Sequence, residues 1–383
     1  MTGRQRARTG VVALAAAAVA ATALAAPARA HHPDRGEDRR TDHRATQRAF
    51  DALVAGGVPG VTGQVRDAGG VWKGAAGAGD RETGAPRGKN DRFRIGSITK
   101  TFVATVLLQL EAEGRLDLDD TVDRHLPGLL RGNGHDGRRV TVRQLLNHTS
   151  GVASYTDDPG FQRDRLLAPG FLGNRWSPMT PRQLVRIAMA RPALFEPGDR
   201  HRYSNTNYIV AGMVLEKVTG NPYEREVRKR IIEPLGLTAT SSPGNRTRLP
   251  QPSGRAYSKL SFDPGATRVH DVTELNASMA WASGDMISSA GDLNRFFSAL
   301  MRGKVLPERQ LEAMRTTVSG YGLGIETATL SCGTTVWGHG GGIVGSRSSA
   351  LTTEDGRHAF AFQVNGDWGG GGADPVGAEF CGT

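Results

Sequence analysis

The stretch that decides the fold is Ser97-Ile98-Thr99-Lys100, followed by the apolar run over residues 101–110. The run is apolar on most faces, which predicts a helix buried in the middle of the protein. We expect this helix to end near Gly114, because glycine is the usual left-handed residue at a helix C-terminus. With Ser97 at the helix start, Lys100 lies one turn further on, at the spacing that brings two side chains together.

This arrangement would place a hydroxyl, an amine and the free backbone N–H groups of a helix start side by side. Such a combination indicates a serine nucleophile, Ser97, with an amine partner, Lys100. The alternative is a capping serine followed by a surface lysine. An S-x-x-K match arises easily by chance, so the motif needs support from the rest of the chain.

The first thirty residues have the pattern of an export signal: a basic start, an Ala-rich apolar stretch over 11–26 and Ala28-Arg29-Ala30 as a cleavage site. We predict cleavage after Ala30 and a secreted or cell-wall-associated protein. The alternative is an uncleaved anchor, but the apolar stretch is short for a membrane span, and we expect no stable span. Residues 31–45 are polar and charged, which predicts a flexible tether.

The formal net charge is +10, and the arginines that supply most of it are scattered along the chain. No basic stripe with interleaved aromatic residues is present, so we expect no nucleic-acid partner. A mild attraction to an anionic cell envelope, including peptidoglycan, is the simpler interpretation. The sequence has no H-E-x-x-H motif and no Cys/His cluster, so we expect neither a metal nor another cofactor.

The two cysteines, Cys332 and Cys381, are the only ones in the chain. Cysteines in an exported protein pair more often than they stay free, so we predict a disulfide between them.

The secondary-structure pattern changes twice along the chain. Strands are predicted at 61–66, 71–76, 321–327, 334–337, 348–352 and 358–364, whereas helical signals dominate from 116 to 300. We therefore predict an α/β (α+β) fold in which residues 46–96 and 302–383 form one sheet domain. Residues 97–301 then form a mainly helical domain, across a cleft from the sheet.

Tyr203-Ser204-Asn205 lies in a predicted loop between a turn and a helix, where a phenol and an amide can face a cleft. Cationic amines beside Tyr203 would lower the pKa of its phenol, which could then take a proton from a serine. The alternative is a helix-capping residue with a packed tyrosine.

His339-Gly340-Gly341-Gly342 follows the predicted strand 334–337. Glycine allows a backbone to approach a ligand closely, so a glycine N–H here could bind an oxyanion. The alternative is a tight turn with an incidental histidine. A dinucleotide-binding loop is excluded because a strand follows. An α/β-hydrolase is excluded because no G-x-S-x-G is present.

The three motifs, in this order, resemble those of the penicillin-recognising serine hydrolases, the serine β-lactamase and penicillin-binding protein superfamily. Secreted actinobacterial D-alanyl-D-alanine carboxypeptidases and class C β-lactamases are the most similar branches. The resemblance extends over roughly residues 45–381 and includes Leu145-Leu146-Asn147-His148-Thr149-Ser150-Gly151, Phe195-Glu196-Pro197-Gly198 and Ser283-Gly284-Asp285-Met286.

The resemblance implies a mostly antiparallel sheet flanked by helices, with a helical domain inserted between the early and late strands. It implies that Ser97 forms an acyl-enzyme and that Lys100 and Tyr203 share the proton transfers. Which of these two residues is the base stays open. Asn205 would orient Lys100 and the substrate amide. His339 would tune the site electrostatically, at a position where many relatives carry lysine.

The same resemblance assigns the oxyanion hole to the backbone N–H groups of Ser97 and Gly342. Gly340, Gly341 and Trp281 would line the substrate cleft, although Trp281 could equally be a core residue.

One departure from the family pattern bears on the substrate. Carboxypeptidase relatives usually carry threonine at the position of Gly340, and an arginine on the preceding strand, to hold the substrate's terminal carboxylate. Here residues 319–338 contain neither arginine nor lysine. Losing both donors would weaken carboxylate binding by about 2–4 kcal/mol.

The simplest prediction is a monomeric D-alanyl-D-alanine carboxypeptidase acting on peptidoglycan peptides. An esterase, a D-aminopeptidase, an amidase or a β-lactamase of the same fold is the alternative, with a peptide, ester or β-lactam substrate. A non-catalytic envelope-binding protein is a further alternative.

Overall fold

A six-stranded sheet built from both ends of the chain organises the fold, in a computed structural model that describes residues 42–382. The strands are β1 (Gly60–Asp67), β2 (Gly70–Gly77), β3 (Phe93–Arg94), β4 (Arg131–Gly132), β5 (His135–Asp136), β6 (Tyr257–Ser258), β7 (His270–Asp271), β8 (Ile287–Ser288), β9 (Glu326–Thr329), β10 (Thr335–Ile343), β11 (Ser346–Thr353) and β12 (Ala359–Val364). The large sheet has the order β2-β1-β12-β11-β10-β9, and all of its neighbouring strands are antiparallel. The predicted fold class is confirmed.

Most of the helices lie between β3 and β9 in the chain. They are α1 (Arg44–Ala55), α2 (Thr99–Ala112), α3 (Val122–His125), α4 (Val142–Leu146), α5 (Pro159–Arg165), α6 (Gly170–Asn174), α7 (Pro181–Met189), α8 (Asn205–Thr219), α9 (Tyr223–Val227), α10 (Glu233–Leu235), α11 (Ala290–Met301), α12 (Glu308–Arg315) and α13 (Pro375–Cys381). None of the helices within residues 42–382 combines the length and the apolar character that crossing a bilayer requires.

The predicted export segment 1–30 and residues 31–41 of the predicted tether lie outside the described residues. Helix α1 begins at Arg44, so the last two residues of the predicted tether are helical. The domain boundaries at 96 and 302 stay a prediction.

Helices pack on both faces of the sheet, because alternate residues of each strand point to opposite faces. On one face, Phe50 of α1 packs in a buried cluster with Val65 of β1 and Phe360 of β12. Ala361, the neighbour of Phe360, belongs instead to the larger core that contains Phe296 of α11. The sheet is thereby buried between α1 and α11.

Helix α2 is buried along almost its whole length, as its apolar composition predicts. The ring of Phe102 stacks on that of Phe296 in α11 with centroids 3.9 Å apart, which fixes α2 beside the sheet-covering helix. The helix ends two residues before Gly114, whose φ is +69°. At its start the structure differs from the prediction: Ser97 lies in a 3₁₀ turn, Gly96–Ile98, that leads into α2.

Two of the late strands, β9 and β10, differ from their predicted positions, whereas β11 and β12 agree with the predicted 348–352 and 358–364. Residues 321–325 are not a strand, and β9 begins only at Glu326. β10 continues through His339 and the glycines to Ile343, so these residues form a strand and not a turn. Their pairing with β11, Gly340 with Ser349 and Gly342 with Arg347, explains the difference, because a paired neighbour satisfies the glycine backbone.

The two ends of the described chain are joined to each other. The Glu379 carboxylate of α13 accepts hydrogen bonds from His358 at 2.8 Å and from Thr46 of α1, and it lies 3.1 Å from His43. Cys332, in the connection between β9 and β10, forms a disulfide with Cys381 at the end of α13.

The turn that carries Ser97 lies against β10, backbone to backbone. A Cβ on Gly341 would be 1.9 Å from the carbonyl oxygen of Ile95, and one on Gly96, whose φ is +51°, would be 2.6 Å from the nitrogen of Gly342. Ser348 of β11 donates a hydrogen bond to the same Ile95 carbonyl at 3.1 Å. Only glycine therefore allows this contact between sheet and turn.

We expect Gly341→Ala to lower the free energy of unfolding by about 3 kcal/mol, because the methyl group meets a backbone atom that cannot rotate away. Gly342→Ala is the matched control, because a Cβ there has no neighbour within 4 Å. Thermal unfolding monitored by circular dichroism compares the two variants. Equal melting temperatures would contradict the contact between Gly341 and Ile95.

Candidate active site

Lys100 holds the predicted site together through three hydrogen bonds. Its Nζ lies 2.9 Å from Ser97 Oγ, 2.8 Å from Asn205 Oδ1 and 2.7 Å from the carbonyl oxygen of Ser283. Asn205 is oriented in turn, because its amide nitrogen donates to Thr156 Oγ1 at 3.2 Å. The structure thus brings Ser97, Lys100 and Asn205, which are far apart in the sequence, into one cluster.

The environment of Lys100 favours the neutral amine. The side chain is fully buried, and burial lowers the pKa of Lys100 well below its usual value, while the charge of Glu326 opposes this shift. Asn205 Oδ1 and the Ser283 carbonyl can only accept hydrogen bonds, so they take both N–H bonds of a neutral amine. The remaining lone pair then faces Ser97 Oγ, which is the position of a general base.

The Tyr203 phenol lies beside Ser97 and Lys100, but its protonation differs from the prediction. Burial raises the pKa of Tyr203 well above its usual value, and a hydrogen bond with Ser97 offsets only part of this effect. The prediction of a lowered pKa for Tyr203 was wrong, because the phenol is buried. The neighbouring Lys100 amine is buried as well, which favours its neutral form, so it does not act as a cation beside the phenol. Lys100 Nζ lies 4.8 Å from the ring centroid of Tyr203. Tyr203 is therefore protonated at neutral pH, which leaves Lys100 as the candidate base.

His148 positions the Tyr203 loop and was not predicted as a site residue. Its Nδ1 accepts hydrogen bonds from the Ser204 N–H and from Asn207 Nδ2, each at 3.2 Å, and its carbonyl accepts the Arg202 N–H at 2.9 Å. The centroid of the imidazole ring lies 4.2 Å from the centroid of the Tyr203 ring. These contacts join residues more than fifty positions apart, so the sequence alone does not show them. The only hint in the sequence was the place of His148 in the run 145–151.

His339 lies in the site but does not supply a cation in place of the lysine of many relatives. Its Nδ1 donates to the carbonyl of Gly340, so its Nε2 accepts the Tyr321 hydroxyl at 2.9 Å, as in a neutral imidazole. Burial lowers the pKa of His339, and the charge of Glu326 opposes this shift. Tyr321, which was not predicted, is the residue that fixes the ring of His339.

The glycines of β10 differ in what they face. Gly341 is the packing contact for the Ser97 turn, whereas a Cβ on Gly342 would have no neighbour within 4 Å and one on Gly340 would lie 4.0 Å from Glu326 Oε2. The Gly342 nitrogen lies next to residue 96, in agreement with a predicted oxyanion hole formed with the Ser97 N–H. That role, and the contact of Gly340 and Gly341 with substrate, stay predictions.

Trp281 is a buried residue two positions before Ser283, whose carbonyl binds Lys100. Its ring packs against that of Tyr223, with centroids 5.1 Å apart, and covers Gly212 of α8. It also lines an open pocket of about 520 Å³ together with Met179, Thr180 and Glu224. The assignment of Trp281 to the wall of the substrate cleft stays a prediction, with a core position as the alternative.

Asp285 is a buried acid two residues from the carbonyl that holds Lys100. Burial raises its pKa to about 8, although hydrogen bonds from Tyr223 and Ser242 lower it. A carboxyl group with a raised pKa in the folded state stabilises the fold fully below its unfolded pKa, near 4. It loses this contribution as the pH rises through about 8.

We expect Asp285→Asn to become more stable relative to the wild type as the pH rises from 6 to 9. The difference in the free energy of unfolding should change by about 2 kcal/mol over this range, because asparagine does not ionise. Urea unfolding of both proteins at each pH measures it. The histidines and Lys100 are present in both proteins, so their contributions cancel in the difference between the two free energies of unfolding. A difference that stays constant with pH would contradict the raised pKa of Asp285.

Lys100→Arg should lower kcat/KM by a factor of roughly 10²–10⁴, because a guanidinium stays protonated and cannot accept the proton of Ser97. Lys217→Arg, on the exposed side of α8, is the control and should leave activity unchanged.

In the wild type, kcat/KM should fall as the pH is lowered through the pKa of Lys100, which burial places below the value of a free lysine. A pH–rate profile measures this limb. A rate that stays constant down to acidic pH, or an active Lys100→Arg enzyme, would contradict the assignment of the base.

Comparisons with known proteins identify the class to which this site belongs. The sequence matches the Beta-lactamase family model over residues 46–375, and the chain belongs to this family. It is a serine hydrolase with the β-lactamase fold.

Among solved structures, a D-stereospecific amidohydrolase from Streptomyces sp. is 55% identical, with a TM-score of 0.85 over 89% of this chain and 99% of that chain. The D-amino acid amidase of Ochrobactrum anthropi SV3, complexed with L-phenylalanine amide, is 29% identical, with a TM-score of 0.73 over 86% of this chain and 93% of that chain.

Among curated relatives, the esterase EstB of Burkholderia gladioli is 32% identical over 270 residues, which are 66% of this chain and 68% of the esterase. Other relatives are longer than the matched region. The chain spans about half the length, 54%, of the penicillin-binding protein PbpX of Bacillus subtilis, with 28% identity.

Proposed function

We propose that the protein is a serine amidohydrolase that cleaves amides of D-amino acids through an acyl-enzyme on Ser97. The observation that carries this proposal is the buried Lys100 amine, held by two carbonyl oxygens with its lone pair toward Ser97 Oγ. This arrangement supplies a base for the serine.

Acylation begins when Lys100 takes the proton of Ser97 and Oγ attacks the substrate carbonyl carbon. The negative charge on the carbonyl oxygen is bound by the N–H groups of Ser97 and Gly342. When the tetrahedral intermediate collapses, the C–N bond breaks and the leaving amine takes a proton. The Tyr203 phenol, which lies beside both Ser97 and Lys100, can donate that proton and recover it from Lys100.

Deacylation follows the same route with water as the nucleophile. Lys100 accepts a proton from the water, the ester bond to Ser97 breaks, and Oγ recovers a proton as the carboxylic acid leaves. Asn205 keeps the amine in place through both steps, because its side chain is fixed by Thr156.

The substrate class is supported by similarity and by the site. The Streptomyces amidohydrolase aligns over 99% of its length at 55% identity. The site also lacks the carboxylate-binding groups expected of a D-alanyl-D-alanine carboxypeptidase, because Gly340 has no hydroxyl and residues 319–338 contain no arginine or lysine. Trimming of peptides with a free terminal carboxylate is therefore the weaker interpretation.

Ester hydrolysis is the second candidate activity. It uses the same acyl-enzyme with an alcohol as the leaving group, and the similarity to esterase EstB favours it. Because an alcohol leaves more easily than an amine, a short activated ester should acylate Ser97 even if natural amides are poor substrates.

We also propose that the protein works outside the cytoplasm, after removal of residues 1–30. The supporting observations are the pattern of the first thirty residues and the pairing of both cysteines. N-terminal sequencing of protein recovered from culture medium and from the cell wall would test the cleavage site.

Hydrolysis of D-phenylalanine amide and L-phenylalanine amide tests the proposed activity. We expect release of ammonia from the D-enantiomer only. Ser97→Ala should lose at least about a thousandfold in kcat/KM, because the nucleophile is absent. Ser261→Ala, at an exposed position, is the matched control and should keep full activity.

Intact-mass measurement after rapid quenching separates the mechanism from the substrate. An acyl adduct on wild type from 4-nitrophenyl acetate, absent in Ser97→Ala, supports the acyl-serine step. An adduct that survives the substitution would overturn that step. Equal rates for both enantiomers, or ester turnover without amide turnover, would overturn the proposed substrate class.

A further inference from the structure

A carboxylate occupies the substrate side of β10. Glu326, the first residue of β9, pairs with Gly338, and its Oε2 lies 3.4 Å from the Gly340 nitrogen. Its Oε1 lies 4.0 Å from His339 Nε2. The side chain is 31% exposed, and its Oε2 would lie 4.0 Å from a Cβ built on Gly340, so the carboxylate lies directly beside this glycine.

The groups around this carboxylate leave its charge largely uncompensated. Burial lowers the pKa values of Lys100 and His339. It also lowers the pKa of His201, which is less deeply buried. Tyr203 and Tyr321 stay protonated, because burial raises the pKa of each phenol. None of these groups therefore supplies a positive charge beside the Glu326 carboxylate.

The distance from this charge to the reaction centre follows from the strand. Gly340 and Gly342 lie two positions apart on one face of β10, which corresponds to about 7 Å. The Gly342 N–H is the predicted oxyanion donor, so Glu326 faces a substrate group roughly one residue away from the scissile carbonyl. No Cβ at Gly340 fills the intervening space.

We propose that Glu326 is the specificity-determining residue of this site, which selects substrates with a cationic substituent near the scissile bond and rejects anionic ones. The inference rests on the proposed acyl-serine function and adds the charge of the substrate. It accounts for the disfavoured terminal carboxylate by repulsion, in addition to the missing hydroxyl at position 340.

The expected effect is measurable as a change in selectivity. A substrate charge within about 7 Å of the Glu326 carboxylate, in a partly hydrated site, interacts with it strongly enough to change kcat/KM by roughly tenfold. Glu326→Gln keeps the size of the side chain and removes the charge. Its ratio of kcat/KM for cationic over anionic substrates should fall by about tenfold or more, and the wild-type ratio should shrink as salt is added.

The first substrate series varies the charge of the acyl group. It consists of the 4-nitrophenyl esters of hexanoic acid, 6-aminohexanoic acid and adipic acid, which share one leaving group. The second series varies the leaving group, with D-phenylalanine anilides that carry a para carboxylate, carboxamide or aminomethyl group. The neutral member of each series corrects for any general change in the activity of Ser97.

Glu308→Gln, on the exposed first turn of α12, is the matched control and should keep the wild-type ratios. A fall of the ratio in either series for Glu326→Gln supports the inference, and the series that responds identifies the side of the scissile bond. Ratios within twofold of wild type in both series would overturn it. So would an equal loss for all members of a series, which indicates a structural role.

The two proposals fail in different ways. If the amides are not cleaved but the ester series shows the predicted charge selectivity, the proposed substrate class fails and the role of Glu326 stands. If D-phenylalanine amide is cleaved and Glu326→Gln leaves both ratios unchanged, the role of Glu326 fails and the amidohydrolase stands.

Discussion

A primary amine without contact with water is the constraint on which the site depends. Lys100 is fully buried, and an ammonium ion in that position would be costly to desolvate. The cost falls if the amine is neutral and both of its N–H bonds find acceptors, which Asn205 and the Ser283 carbonyl provide. The same feature that makes the residue tolerable in the core makes it a base for Ser97.

Every group that holds Lys100 comes from a different part of the chain. Asn205 opens α8, Ser283 ends a 3₁₀ turn before β8, and Ser97 lies in the turn before α2. The turn that carries Ser97 depends on β10, because Gly341 lets the Ile95 carbonyl approach the strand. The sheet formed by the two chain ends is therefore part of the catalytic geometry as well as the scaffold.

Patterns along the sequence predicted the parts of this structure that are local. The buried helix after Ser97 follows from its apolar composition, and β1 and β2 follow from the strand patterns over 61–66 and 71–76. Thr141 and Thr180 cap α4 and α7 with complete capping boxes, as side-chain capping rules indicate.

The features that the sequence did not predict depend on contacts between distant residues. The extent of β10 depends on its pairing with β11, which makes a glycine run a strand. The raised pKa of Tyr203 depends on burial, which a motif does not contain. His148, Tyr321 and Glu326 reach the site only through tertiary contacts.

The hydrogen bond from Thr46 to Glu379 has a topological consequence. It places the first helix and the last helix side by side, so the two ends of the folded chain emerge close together. A short peptide linker could join them, and new ends could be opened in an exposed loop such as residues 261–265 to give a circular permutant. For the same reason, attachment to a support through either end would hold the molecule from one side.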